Sequence, residues 1–163
     1  AWSTISLSLL KNARRRCGRR MPKPPNRFDH FIAAQDPVYP SVLQQLRAGR
    51  KQGHWMWFIF PQLAGLGRSA MAEKFGIVDL DEAKAYAAHP LLGGRLRQCV
   101  GLANAIDGRS ALEAFGAPDD LKLRSCLTLF LEATGDAVFA DGLGRFYGGA
   151  RDRATLALLG PRT

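Results

Sequence analysis

The stretch His54-Trp-Met-Trp-Phe-Ile-Phe-Pro-Gln62 decides how this chain folds. It holds two of the chain's three tryptophans and two of its nine phenylalanines. A segment this apolar is buried in a soluble domain, so the rest of the chain must pack around it. Aromatic residues favour a strand, but the segments on both sides predict helices and would leave a strand without a partner. We therefore predict one or two turns of buried helix over residues 54–60, with Phe60 held extended by Pro61.

Composition indicates an ordinary globular protein. A chain of 163 residues, 47% hydrophobic and 23% charged, is most simply one domain with a substantial core. Its apolar runs are shorter than the ~20 residues that a membrane span needs, so we expect a soluble, cytoplasmic protein that does not bind membranes. Three cysteines and three histidines are scattered along the sequence, which predicts neither a zinc site nor a disulfide framework. Cys99 and Cys126 lie in apolar helical contexts and are expected to be core thiols, and no cofactor is predicted.

The strongly basic character belongs to the first part of the chain. Residues 1–26 contain seven basic residues and no acidic one, and removing these seven from the net charge of +9 leaves +2. Nucleic-acid binding is therefore not expected of the remaining domain. The basic segment could be a targeting peptide, a basic arm, or sequence that precedes a natural start at Met21; we favour the last. The expected organisation is a disordered basic leader over residues 1–26 and a helical domain over residues 27–160.

Helix start and stop signals recur along this domain. Polar residues at helix starts and glycines at helix ends satisfy backbone groups that the terminal turns leave without partners. Asp79 followed by Glu82 predicts a capping box, and Gly93-Gly94 predicts an irregular first turn in a helix over residues 91–106. Further helix starts are predicted at or next to Tyr39, Ser110, Pro118, Asp136 and Asp152. No segment alternates long enough for a sheet, so the sequence predicts an all-α fold, a compact single domain of about seven to eight short helices.

The polar ends of the aromatic stretch are the first candidates for function. His54 could be a general acid or base, since imidazole titrates near neutral pH, or it could bond a backbone carbonyl at the edge of the core. Gln62 either binds a ligand or ties the following loop to a neighbouring helix. Trp55 and Trp57 point in different directions on a helix, so at most one of them lines a pocket, where it would stack on a base or sugar. Plain core packing is the alternative for both.

A second group of candidates lies on the helix that Pro118 begins. Lys122, Ser125 and Thr128 are spaced three residues apart and share one polar edge. Together with Arg124 they could bind an anion such as phosphate through charge-assisted hydrogen bonds. The alternative is a solvated charged face. Ser125 could be a nucleophile only with a base beside it, and His54 is the one candidate for that base.

Several motifs resemble a known family. They are Arg27-Phe28, Ala34-Gln35, Tyr39, His54 to Leu63, Gly65 to Ser69, His89 to Gly93, Phe115-Gly116, Asp119, Lys122 to Ser125, Asp152 and Thr155-Leu156. The chain resembles an uncharacterised bacterial and fungal domain of unknown function, sometimes labelled "calpastatin". That resemblance spans nearly all of residues 27–160 and implies one all-helical domain, without a catalytic mechanism. The label itself does not fit, because calpain inhibitors are disordered chains and this one is rich in core residues. Cys126 departs from the second serine expected there in the family.

These observations lead to two hypotheses for function. In the first, the domain has a polar pocket beside the buried aromatic segment and binds or processes a small anionic metabolite, a nucleotide or an ADP-ribose-like compound. His54 would then be the acid or base, Trp57 and Gln62 the recognition groups, and Lys122, Ser125 and Thr128 the contacts to the anion. An analogy with other small helical bacterial domains implicated in ADP-ribose metabolism supports the choice of ligand. In the alternative, the domain is a non-catalytic protein-interaction module without a small-molecule site.

Overall fold

The computed structural model describes residues 26–161, and the leader predicted over residues 1–26 lies outside them except for Asn26. Ten helices lie within the described range. They are α1 (Asp29–Gln35), α2 (Tyr39–Ala48), α3 (Met56–Ile59), α4 (Ala70–Lys74), α5 (Leu80–Ala88), α6 (Leu92–Asn104), α7 (Ala111–Phe115), α8 (Asp119–Thr134), α9 (Ala137–Tyr147) and α10 (Arg153–Leu159). No strand occurs among residues 26–161, so the all-α prediction is confirmed. The expected number of seven to eight helices was too low, because several elements are single turns.

Two helices organise the packing. The longest, α8, packs against α5, α7, α9 and α10, and α6 packs against α2, α3, α5 and α9. Both present a continuous apolar face: Leu123, Leu127 and Phe130 of α8 are at most 1% exposed, as are Leu96 and Val100 of α6. Because α5 and α9 contact both of these helices, one core joins all of them. In the described part of the chain, no helix is long and apolar enough to cross a membrane.

The aromatic stretch forms a short buried helix, as predicted. Trp55 precedes α3, and Phe60 ends it with φ −120° and ψ 75°, a backbone that has left the helical region without reaching the extended conformation predicted for it. The helix is held in place by Gln35, a side chain only 1% exposed, whose Nε2 donates to the carbonyl of Phe58 at 2.7 Å and to the hydroxyl of Tyr86 at 3.1 Å. A buried carboxamide with these partners joins α1, α3 and α5 at one point.

Side-chain caps begin four of the described helices, and the structure differs from two of the predictions for helix starts. The side chain of Asp79 accepts from the amide of Glu82 at 2.8 Å, but Glu82 accepts from the amide of Val78 instead of closing a capping box with Asp79. The first turn of α6 is regular despite its two glycines. Gly93 is required there, because a Cβ at this position would lie 2.1 Å from the carbonyl oxygen of Ala87. Close approach of α5 to α6 therefore explains this glycine.

Candidate functional site

A cleft of about 410 Å³ opens between α3, the segment that follows it, and the first half of α8. Its polar lining consists of Gln62, Arg68, Ser69, Lys122 and Ser125. Its apolar lining comes mainly from Trp57, Leu63, Leu66, Phe75, Pro118 and Leu121. The cleft thus combines an aromatic and aliphatic wall with a few polar groups, the usual composition of a small-molecule site.

The aromatic stretch contributes one of its tryptophans to the cleft. Trp55 is 3% exposed, and its Nε1 donates to Oε1 of Gln45 at 2.9 Å, so it belongs to the core. Trp57 is half-buried and lines the cleft. Its neighbours Met56 and Phe58 are buried. A four-residue helix packed on several sides leaves one side chain facing the cleft, and that side chain is Trp57.

Lys122 covers the ring of Trp57. The ammonium of Lys122 lies 4.2 Å from the ring centroid, a cation–π contact. It also lies 3.4 Å from Oδ1 of Asp119, while Oδ2 of the same carboxylate lies 2.8 Å from the ammonium of Lys51. No hydrogen bond from the Lys122 ammonium occurs among the described residues, so its three donors are available to a ligand.

Gln62 lies at the base of a loop that forms the opposite wall. Its backbone carbonyl accepts from the amide of Ile77 at 2.9 Å, and the amide of Ala64 donates to the carbonyl of Ile77 at 2.7 Å. These two bonds close the loop over residues 64–76, which includes α4. Within residues 26–161, the Gln62 carboxamide makes no hydrogen bond, so both its donor and its acceptor are available to a ligand.

The loop supplies two further polar groups. Ser69 is the N-cap of α4, and its Oγ accepts from the amide of Ala72 at 3.1 Å, which leaves its O–H free to donate. Arg68 is exposed and has no ion pair or hydrogen bond among the described residues. The sequence predicts a glycine-containing loop over residues 63–68 and a short helix over residues 69–75, but Arg68 was not among the predicted site residues. The feature of the sequence that could have indicated Arg68 is its position as a single basic residue directly before the helix-capping Ser69.

Two of the predicted site residues lie elsewhere. His54 is exposed and does not line the cleft, so the expected convergence of His54 with Gln62 and Lys122 does not occur. The reason is that α3 begins only at Met56, which leaves His54 in the preceding connection. Thr128 is fully buried, and its hydroxyl donates to the carbonyl of Arg124 at 2.8 Å and accepts from the amide of Asp152 at 2.8 Å. Its role is to join α8 to the start of α10.

Ser125 lines the cleft without the partners that a nucleophile needs. It is 7% exposed, and its hydroxyl donates to the carbonyl of Leu121 at 3.1 Å. No carboxylate, imidazole or thiol lines the cleft within the described part of the chain, so no general base is in place there. The hydroxyl oxygen can still accept a hydrogen bond from a ligand.

The charges of the cleft have one sign. Within residues 26–161, Arg68 and Lys122 are its charged lining residues, and they come from two separate segments, the 64–76 loop and α8. Gln62, Ser69 and the two cations provide hydrogen-bond donors, while the acceptors, Gln62, Ser69, Ser125 and backbone carbonyls, are all uncharged. An anion is therefore the complementary ligand for the polar side of this cleft.

Comparison with known proteins places the chain in a family. A family described as "Protein of unknown function (DUF1810)" matches residues 25–159. The chain belongs to this family. It is 56% identical to a protein whose solved structure is described as the crystal structure of the conserved hypothetical protein Rv1873 from Mycobacterium tuberculosis. The similarity covers 81% of this chain and 95% of that chain, with a TM-score of 0.80. No curated protein matches the chain.

Proposed function

We propose that this chain binds a small anionic metabolite of mononucleotide size in the cleft between α3, the 64–76 loop and α8. The observation that supports this most strongly is that two cations, Arg68 of the 64–76 loop and Lys122 of α8, line one cleft whose remaining lining is aromatic, aliphatic or neutral polar. A phosphate group held between them would receive charge-assisted hydrogen bonds from both sides.

The lining also favours a planar group beside the phosphate. Trp57 and Phe75 offer aromatic surface, and Gln62 offers an adjacent donor and acceptor of the kind that pairs with the edge of a nucleobase. Ligand pockets commonly measure about 300–1,000 Å³. A volume of about 410 Å³ lies near the lower end of that range, which favours a mononucleotide over the larger ADP-ribose.

Binding is favoured over processing. Catalysis of hydrolysis or group transfer would require a general base, a nucleophile with an activating partner, or a metal site. Ser125 has its hydroxyl bonded to a backbone carbonyl, and His54 is outside the cleft. The proposed role is therefore that of a ligand-binding domain, in which occupancy of the cleft is the functional event.

A ligand panel tests this proposal. The four common ribonucleoside 5′-monophosphates, ADP-ribose, the matching nucleosides and inorganic phosphate are compared by thermal shift and then by titration calorimetry. We expect at least one monophosphate to raise the melting temperature, and its nucleoside to bind at least about tenfold more weakly, because a charge-assisted hydrogen bond contributes about 1.5–3 kcal/mol. ADP-ribose should bind less tightly than the best monophosphate.

Matched lysine variants show whether the cleft is the site. Lys122→Met should weaken monophosphate binding at least about tenfold. Lys84→Met removes the same charge from an exposed position on α5, outside the cleft, and should leave binding unchanged. If none of the compounds shifts the melting temperature, the proposal is wrong and the alternative, a protein-interaction module without a small-molecule site, is favoured. Equal effects of the two substitutions would also contradict it.

A further inference from the structure

We infer that Lys51, which lies outside the cleft, sets the affinity of the cleft for anions by neutralising Asp119 and so leaving the charge of Lys122 for the ligand. This inference rests on the proposed function, since it concerns the same anion site. It assigns a controlling role to a residue that makes no contact with the cleft. Lys51 is a positioning residue in this scheme, and Lys122 is the residue that contacts the anion.

Lys51 is fixed in place by several independent contacts. Its side chain is 7% exposed, and its ammonium lies 2.8 Å from Oδ2 of Asp119. The ammonium also donates to the carbonyl of Gly53 and lies 5.1 Å from the ring centroid of Trp55. Its backbone amide donates to the carbonyl of Ala114 at 2.8 Å. A buried ammonium with this many partners stays beside the carboxylate whether or not a ligand is bound.

The two lysines share one carboxylate unequally. Asp119 is 2.8 Å from Lys51 but 3.4 Å from Lys122, and Lys51 is the more buried of the two, at 7% side-chain exposure against 21%. The closer, less hydrated pair has the stronger Coulomb interaction. Two ammonium groups and one carboxylate leave a net charge of +1, and that charge resides on Lys122 at the edge of the cleft. Without Lys51, the carboxylate would be compensated by Lys122 alone.

Three variants separate this role from simple structural support. They are Lys51→Met, Asp119→Asn and the double variant, each titrated with the ribonucleoside 5′-monophosphates and with inorganic phosphate. Lys51→Met should weaken anion binding about five- to tenfold, because a compensated Lys122 attracts the anion less. The double variant should recover wild-type affinity to within about twofold, since the carboxylate that Lys122 would otherwise face is gone. Asp119→Asn alone should bind as tightly as wild type or more tightly.

The anion affinity of the double variant distinguishes control of charge by Lys51 from simple support of the fold. If Lys51 acted only by supporting the fold, the double variant would bind no better than Lys51→Met, and that result would overturn the inference. Wild-type affinity in Lys51→Met would overturn it as well. Melting temperatures without ligand check that each variant is folded. If wild type itself binds none of these anions, the proposed function fails first, and the inference fails with it.

Discussion

The two adjacent glycines at the start of α6 give opposite predictions for the same substitution. Gly93 is buried, and a Cβ there would lie 2.1 Å from the carbonyl oxygen of Ala87 and 2.9 Å from Nη1 of Arg97. Overpacking of a closed site costs about 1–3 kcal/mol. The same guanidinium donates to the Ala87 carbonyl at 2.8 Å, and disturbing that bond adds about 1 kcal/mol. The higher helix propensity of alanine offsets up to about 1 kcal/mol of these losses. Gly93→Ala should therefore lower the free energy of unfolding by about 2 kcal/mol.

Gly94 provides the matched control. It is exposed, no atom lies within 4 Å of a Cβ built at this position, and alanine is therefore accommodated without strain. Gly94→Ala should raise the free energy of unfolding by about 0.5–1 kcal/mol, through propensity and reduced freedom of the unfolded chain. Urea unfolding followed by far-ultraviolet circular dichroism measures both values. If Gly93→Ala is as stable as wild type, or if both substitutions act in the same direction, close approach of α5 does not explain the buried glycine.

Two further predictions concern buried polar groups and pH. Gln35→Leu should lower the free energy of unfolding by about 2–4 kcal/mol in urea, because the carbonyl of Phe58 and the hydroxyl of Tyr86 each lose a buried partner; a loss below about 1 kcal/mol would contradict this role. Stability should also fall as the pH rises above about 9. Burial raises the pKa of the Cys99 thiol from 9.0 to about 12 and moves the pKa of Cys126 in the same direction, so the unfolded chain releases protons that the native thiols retain. Melting temperatures at pH 7 and about pH 10, in a reducing buffer, measure this effect, and an unchanged value would refute it.

The fold was largely predictable because its signals are local. Ser110 caps α7 with Oγ accepting from the amide of Glu113 at 3.1 Å, and Gly49 ends α2 with φ 71°, both as the sequence indicated. Asp152 caps α10 in the same way, through the amide of Thr155. Such contacts span three or four residues, so the sequence order itself brings the partners together.

The site was less predictable because its contacts connect distant parts of the chain. Trp57 and Lys122 are in contact, yet almost half of the described domain separates them in the sequence. Their sequence neighbours gave no means of telling that Lys122 faces a cleft while Thr128, on the same predicted edge, is buried. Residues on one edge of a helix have the same surroundings only over a short length. Thr128, at the far end of this edge, is covered by the packing of α10 on α8. Arg68 was missed for the same reason, since its importance comes from the opposite wall.

The lysine at position 122 can be compared with an apolar residue by its contribution to stability. The ring of Trp57 is partly open on the cleft side, and Lys122 lies over it at 4.2 Å. A cation–π contact at a partly exposed position contributes about 0.5–1 kcal/mol. An apolar side chain such as leucine at the same place would contribute about 1.5–3 kcal/mol through burial and would also remove a charge from the cleft. The ion pair with Asp119 at 3.4 Å adds up to about 1 kcal/mol, so lysine contributes about as much to stability as leucine would, or less. The proposed function would account for a lysine here, because a cation at this position would neutralise the phosphate of a ligand stacked beside the tryptophan.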